Sequence, residues 1–316
     1  MMNYEEFVRA FKEMAKGFSG DDMEITFITS TKTNLGTGEA VVLRHSGNPM
    51  APTLRLDLVY RDYQEGLSFE KVFDKTIRTL KAATEQIPVK TDRAVNMFKD
   101  TDSVLNNAVA ILIPQKGNED FARENVCIPW LDLYISIRVA VETAEEDTMA
   151  SAPLRRDIFA GFNVPESKLL ERAISNSEKM LPVHMENLHH MVAEMMRTYG
   201  VDEEFANDML RDDSMIPMII VTNTKKINGA SVILYKSSPV RDAAEKCGCN
   251  LYILPSSRHE CILVPELDGE FDAGSLRDMV KQVNETELPP EDFLSDSVYY
   301  YDRETGEISI VGSEEE

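Results

Sequence analysis

Residues 250–265 read NLYILPSSRHECILVP. Two short apolar runs, NLYILP and ECILVP, flank a polar cluster. Each run is the length of a strand, and Pro255 ends the first. The pattern predicts a hairpin whose connection carries Ser256, Ser257, Arg258, His259 and Glu260. Reading outward, IPMIIVTN (216–223) is a strand, Asn228-Gly229 a turn signal, ASVILYK (230–236) a strand and SPVRDAAEKC (238–247) a helix stopped by Gly248. After the hairpin, DAGSLRDMVKQVN (272–284) is a second helix. Residues 216–285 therefore read as a ββαββα unit. Its strands are continuous apolar runs, which calls for cover on both faces.

The rest of the chain fits an α+β fold of mixed, mostly antiparallel sheets with packed helices. Asn3 and Glu6 form a capping box ahead of a helix carrying Phe7, Val8 and Phe11 at helical spacing. EITFITST and EAVVLRH, separated by Gly36 and Gly38, form a strand pair. APTLRLDLVYRDYQEG (51–66) is ambiguous between strand and helix. Ser68 caps a further helix. AVAILIP and LDLYISIRVAV read as strands. ETAEEDTMASAP (142–153) is acidic, small and Pro-terminated, and marks the expected boundary between regions 1–146 and 147–316. Pro165 suits the first turn of PESKLLERAISNSEKML, and HMENLHHMVAEMMRTY reads as another helix.

The 316 residues carry a formal charge of −22, of which the stretch from Glu285 onward holds −10. This balance disfavours direct nucleic-acid binding and anionic membranes. The apolar share of 43 % is that of a packed protein. No run approaches 18 apolar residues and the N-terminus lacks a signal-peptide pattern, so a cytoplasmic chain without a membrane span is expected. Four cysteines in this length are no disulfide framework.

Several residue sets bear on chemistry. Ser256 or Ser257 with His259 and Glu260 supplies a nucleophile, a base and an orienting carboxylate. Neighbours on one turn seldom converge, however, and no G-x-S-x-G elbow is present. Cys247, Cys249, His259 and Cys261 have zinc-ligand residue types, but the hairpin separates Cys249 from Cys261. Glu186, His190 and Glu194 would share one face of a helix. Asp157 with Glu166-x-Lys168 has nuclease-like letters, but on a helix start rather than a strand. NLGTGEAV lies between strands and is no dinucleotide fingerprint. Trp130 and Asp132 read as core, and Arg55 with Asp57 as an outward pair on a strand. No cofactor and no metal site is expected.

The stretch LYILPSSRHECILVP, followed by LRDMVKQVNETELPPEDFLSDSVYYYDRETGEI, resembles an uncharacterised bacterial family, the domain of unknown function numbered fifty-six eighty-eight. PTLRLDLVYRDYQEGLSFEKV is similar in style. In that family the stretch reads Pro-Ser-Ser-x-His-Glu; Arg258 fills the variable place and Cys261 stands where an aliphatic residue is expected. The resemblance implies a shared fold and interest in residues 255–260. It implies no activity. The expected function is a non-enzymatic binding or adaptor protein with a protein or peptide partner. The alternatives are a hydrolase or transferase using Ser256 or Ser257, His259 and Glu260, and an acidic decoy for a nucleic-acid-binding protein.

Overall fold

A computed structural model of the chain describes residues 1–18, 22–46, 51–86, 96–141, 149–198, 218–267 and 273–312. The chain forms two compact units, Met1–Val104 with Val141–Ala150, and Leu105–Ala140 with Ser151–Glu316. The acidic boundary segment falls largely on residues 142–148, outside the described residues. Leu105–Ala140, which the sequence groups with the N-terminal region, belongs to the second unit.

In the first unit α1 (Tyr4–Lys16) starts at the expected capping box: Asn3 Oδ1 accepts from the Glu6 N–H at 2.9 Å, and the Asn3 N–H donates to Glu6 Oε2 at 3.0 Å. Strands β1 (Met23–Lys32), β2 (Gly36–His45) and β3 (Thr53–Arg55) form an antiparallel sheet in that order. The ambiguous segment resolves into β3 followed directly by α2 (Leu56–Gln64). Helix α3 (Phe69–Gln86) follows Ser68, whose Oγ accepts from the Lys71 N–H. Phe7, Phe11, Leu43, Leu56 and Val72 make the fully buried centre of this unit.

Arg55 and Asp57 are not an outward strand pair. Arg55 is 2 % exposed. Its guanidinium pairs with Asp57, the first-turn acid of α2, and donates to the carbonyls of Ser30, Leu35 and Gly36. It thus closes the turn end of the β1–β2 hairpin from inside. Gly38 is required beneath it, because a Cβ there would stand 2.3 Å from the guanidinium.

The chain continues through α4 (Thr101–Asn107) into the second unit. Here β4 (Ala108–Pro114), α5 (Glu119–Glu124), β5 (Cys127–Trp130), β6 (Leu133–Val141) and β7 (Ala150–Pro153) come first. Then follow α6 (Arg156–Phe159), α7 (Glu166–Met180), β8 (Val183–Asn187), α8 (Leu188–Thr198) and β9 (Ile219–Asn223). The remainder is α9 (Pro239–Cys247), β10 (Leu251–Leu254), β11 (Cys261–Pro265), α10 (Ala273–Thr286), β12 (Tyr299–Tyr301) and β13 (Ile308–Ile310). One sheet runs β4-β6-β5 with β7 also on β6; a six-stranded antiparallel sheet runs β13-β12-β10-β11-β9-β8. The fold is α+β with antiparallel pairing throughout the described ladders.

The expected ββαββα unit needs one correction. Residues 229–234 are a 3-10 helix, not a strand. The place beside β9 is taken by β11, with Val221 opposite Cys261. Asn228 adopts a left-handed conformation (φ 48°) and turns the chain into the 3-10 helix, whose Gly229–Ile233 are buried. Gly229 passes so close to β9 and to the loop after β10 that a Cβ would lie 1.9 Å from Thr222 Oγ1. A second correction concerns Glu186, His190 and Glu194. Residues 183–187 form β8, paired to β9 with Glu186 opposite Ile220, so Glu186 shares no helix face with His190.

Candidate functional site

Residues 255–260 connect β10 to β11, as expected, with Leu254 opposite Ile262. The loop is not a solvated tip. It is laced to residues 291–295: Leu294 N–H donates to Ser256 O, Ser295 N–H to Pro255 O, and Arg258 N–H to Asp292 O. Ser257 bridges Phe293 and is 7 % exposed. Its Oγ accepts from the backbone N–H of His259 at 3.0 Å, a local Ser turn of the kind such residues favour.

The side chains have partners that the loop itself does not contain. Arg258 Nε donates to Asn228 Oδ1 at 2.9 Å, and Nη2 reaches the same oxygen. Desolvation pulls the Arg258 pKa down, with Asp292 opposing. His259 Nε2 lies 3.0 Å from Asp292 Oδ1, and Nδ1 lies 3.3 Å from Lys226 O. The His259 carbonyl accepts from Thr222 Oγ1 at 2.7 Å. Behind the loop, burial and the positive charge of Arg258 push Arg138 on β6 down to about 10. Arg138 donates to Ser151 Oγ and Ser151 O.

This geometry separates the members of the supposed triad. His259 and Asp292 make the base–carboxylate half at good distance. The other ring nitrogen faces a carbonyl, an acceptor only, so neither nitrogen is turned to a serine hydroxyl. The oxygen of Ser257 is engaged by a backbone donor. Glu260 makes no contact with His259 Nε2; that place belongs to Asp292, 33 residues on in the chain. Asp292, Asn228 and Lys226 were missed because only the lacing of residues 291–295 brings them here.

A second polar knot lies along the same lace. Asp132 sits beyond Leu131, which is left-handed at φ 53°. Its carboxylate accepts from Ser295 Oγ at 2.6 Å, Ser297 Oγ at 2.9 Å and the hydroxyl of Tyr299. Burial, then the charge of Asp132, raises the Tyr299 pKa. Trp130 packs edge-on against the Tyr299 ring, centroids 6.0 Å apart. The spacing of two in SDSVY is a strand-like signal for three donors on one side; nothing in CIPWLDLY signals that Asp132 is the carboxylate they share. Asp157 pairs with Arg155, and Glu166 with Arg156. Among the described residues no group of three or more His, Cys, Asp or Glu is placed to hold a metal, and no helix is long and apolar enough to cross a membrane.

Residues 4–303 match the model of a family of unknown function, DUF5688. The chain belongs to that family. No curated protein and no solved structure matches it. The DUF5688 match covers both units and includes the whole lace from Ser256 to Tyr299.

Proposed function

We propose that this DUF5688 chain is a non-catalytic binding protein that engages an extended segment of a protein partner. The observation that carries the proposal is the outer edge of β1. This ten-residue strand pairs with β2 alone among the described residues. The Leu43 N–H donates to Pro52 O on the β3 side, so Leu43 and its partner Ile25 form a pair without bonds between β1 and β2. By alternation the backbone groups of Ile25, Phe27, Thr29 and Thr31 point away from the sheet. That row is a template for strand addition, and Arg55 holds its turn end in place.

The partners of Ser257, Arg258 and His259 support the same reading, since they leave the hydrolase alternative without a base aimed at a nucleophile. Cations interleaved with acids, as in Lys12–Glu39, Lys75–Asp62 and Lys236–Glu171, weigh against a continuous anionic stripe and hence against a decoy.

The test is panning of a random-peptide phage library on the intact protein, with Thr29→Pro as comparison. Proline removes one outward N–H and is tolerated on an edge strand. Peptides with alternating apolar residues that bind the parent at least about tenfold tighter than Thr29→Pro are expected. Equal binding to both chains overturns the edge reading. Saturable turnover in an ester, amide and phosphoester screen, abolished by His259→Ala, overturns the non-catalytic one.

A further inference from the structure

Of the four residues with zinc-ligand chemistry, Cys247, Cys249, His259 and Cys261, the first two come together in the fold. Cys247 is the last residue of α9 and Gly248 ends the helix in the left-handed region at φ 75°. That reversal brings the Cys249 side chain back over Cys247, with the sulfurs 2.9 Å apart. Cys247 is exposed and Cys249 half-buried, whereas Cys127 and Cys261 are buried. Cys261 instead points its thiol at Ala230 O. The pair sits beside a polar group of known members: Glu266 Oε2 accepts from Asn250 Nδ2 at 2.9 Å and from Tyr300 Oη at 2.7 Å.

We propose that Cys247-Gly248-Cys249 is a two-electron redox site that closes reversibly to a disulfide by exchange with a low-molecular-weight disulfide. The exposed Cys247 attacks first. Its thiolate forms a bond to one sulfur of the reagent, the reagent's S–S bond breaks, and one thiol leaves with a proton. Cys249 then loses its proton and attacks the Cys247 sulfur, expelling the second thiol. The protein pair is oxidised, the reagent disulfide is reduced to two thiols, and two protons pass to them. The sulfurs need approach by less than an ångström to reach the ~2.05 Å of a disulfide. The second step is slow near neutral pH, since burial, the Cys247 contact and the Glu266 charge hold the Cys249 thiol up to about 11. The raised Cys249 thiol is also a poor leaving group, so attack by a thiol on the exposed Cys247 sulfur of the closed form is slow.

The full chain, incubated with oxidised glutathione and then blocked by N-ethylmaleimide, tests this directly. Trypsin cuts after Lys246 and Arg258, releasing a peptide that holds Cys247 and Cys249 and no other cysteine. The expected product is that peptide lighter by two hydrogens, free of maleimide, and restored by dithiothreitol. Its rate of formation is expected to rise up to about tenfold per pH unit from 7 to 9, as the thiolate fraction does. Cys249→Ser is expected to stop at one glutathionyl group on Cys247. A parent peptide that stays doubly alkylated, or that carries two glutathionyl groups, overturns the proposal. So does a Cys249→Ser chain that still loses two hydrogens from this peptide.

Discussion

Two strands at sheet edges, β4 and β1, have been treated in opposite ways. In β4 side chains reach in to groups that face away from β6. Ser177 Oγ of α7 accepts from the Ala110 N–H at 2.9 Å, Ser231 Oγ of the 3-10 helix accepts from the Leu112 N–H at 2.9 Å, and Asn176 Nδ2 donates to Ala108 O. Pro114 has no N–H to offer. All seven residues of β4 are buried, where an orphan amide would cost heavily. In β1 no such stoppers face the corresponding row among the described residues, and its residues are half-buried or exposed. The lesson is that burial of an edge, not its being an edge, decides whether side chains must close it. The edge left to water keeps its pairing capacity.

The largest effect is expected where the closed edge is reopened without solvent. Ser177→Ala with Ser231→Ala strands two buried amides at about 2 kcal/mol each, so about 4 kcal/mol together. Urea unfolding measures it; a loss below about 1 kcal/mol would show that the hydroxyls do not seal β4. Next comes the guanidinium that frames the open edge. Arg55→Met removes its ion pair and three carbonyl contacts and is expected to cost about 3 kcal/mol. It should also weaken any peptide selected on β1. Unchanged peptide affinity in that variant would detach Arg55 from the template.

The closed sheet has a further signature in alkali. Cys127 on β5 is buried, and burial pushes its thiol from 9.0 up to about 11. The unfolded chain loses this proton first, so the folded state binds more protons between those values. Stability from this group is full below pH 9 and falls as pH rises toward 11, by at most about 1.4 kcal/mol per pH unit. Cys127→Ala is expected to flatten that slope relative to the parent; an identical slope in the two chains would assign the alkaline loss elsewhere.

What the sequence makes visible follows the same division between local and non-local causes. AVAILIP is a strand on its face, because six apolar residues closed by a proline suit a doubly covered ladder. The Asn3–Glu6 box is equally local. ASVILYK reads identically as a strand or as a buried 3-10 segment; the occupation of the β9 flank by β11 and the tight passage at Gly229 decide it. HMENL has helical letters, and its ladder with β9 overrides them. In the site, the hairpin and its five polar residues are legible at once. The partners that give His259 and Arg258 their roles are Lys226, Asn228 and Asp292, each at least 30 residues away. No periodicity encodes such meetings.

The smallest effect tests the open edge most sharply. Ile28 is 45 % exposed on a strand otherwise flanked by Glu24, Thr26 and Thr29, and an apolar side chain beside an unpaired backbone row invites edge-to-edge association. If the edge is open, Ile28→Lys changes folding stability by no more than about 0.5 kcal/mol, since Ile28 lies outside the core cluster of this unit. It should nonetheless lower any concentration-dependent association seen by sedimentation, because an edge lysine opposes the approach of a second strand. A destabilisation above about 1 kcal/mol would mean that Ile28 is packed in solution and that β1, like β4, is covered. In that case the peptide template would have to be sought elsewhere on the molecule.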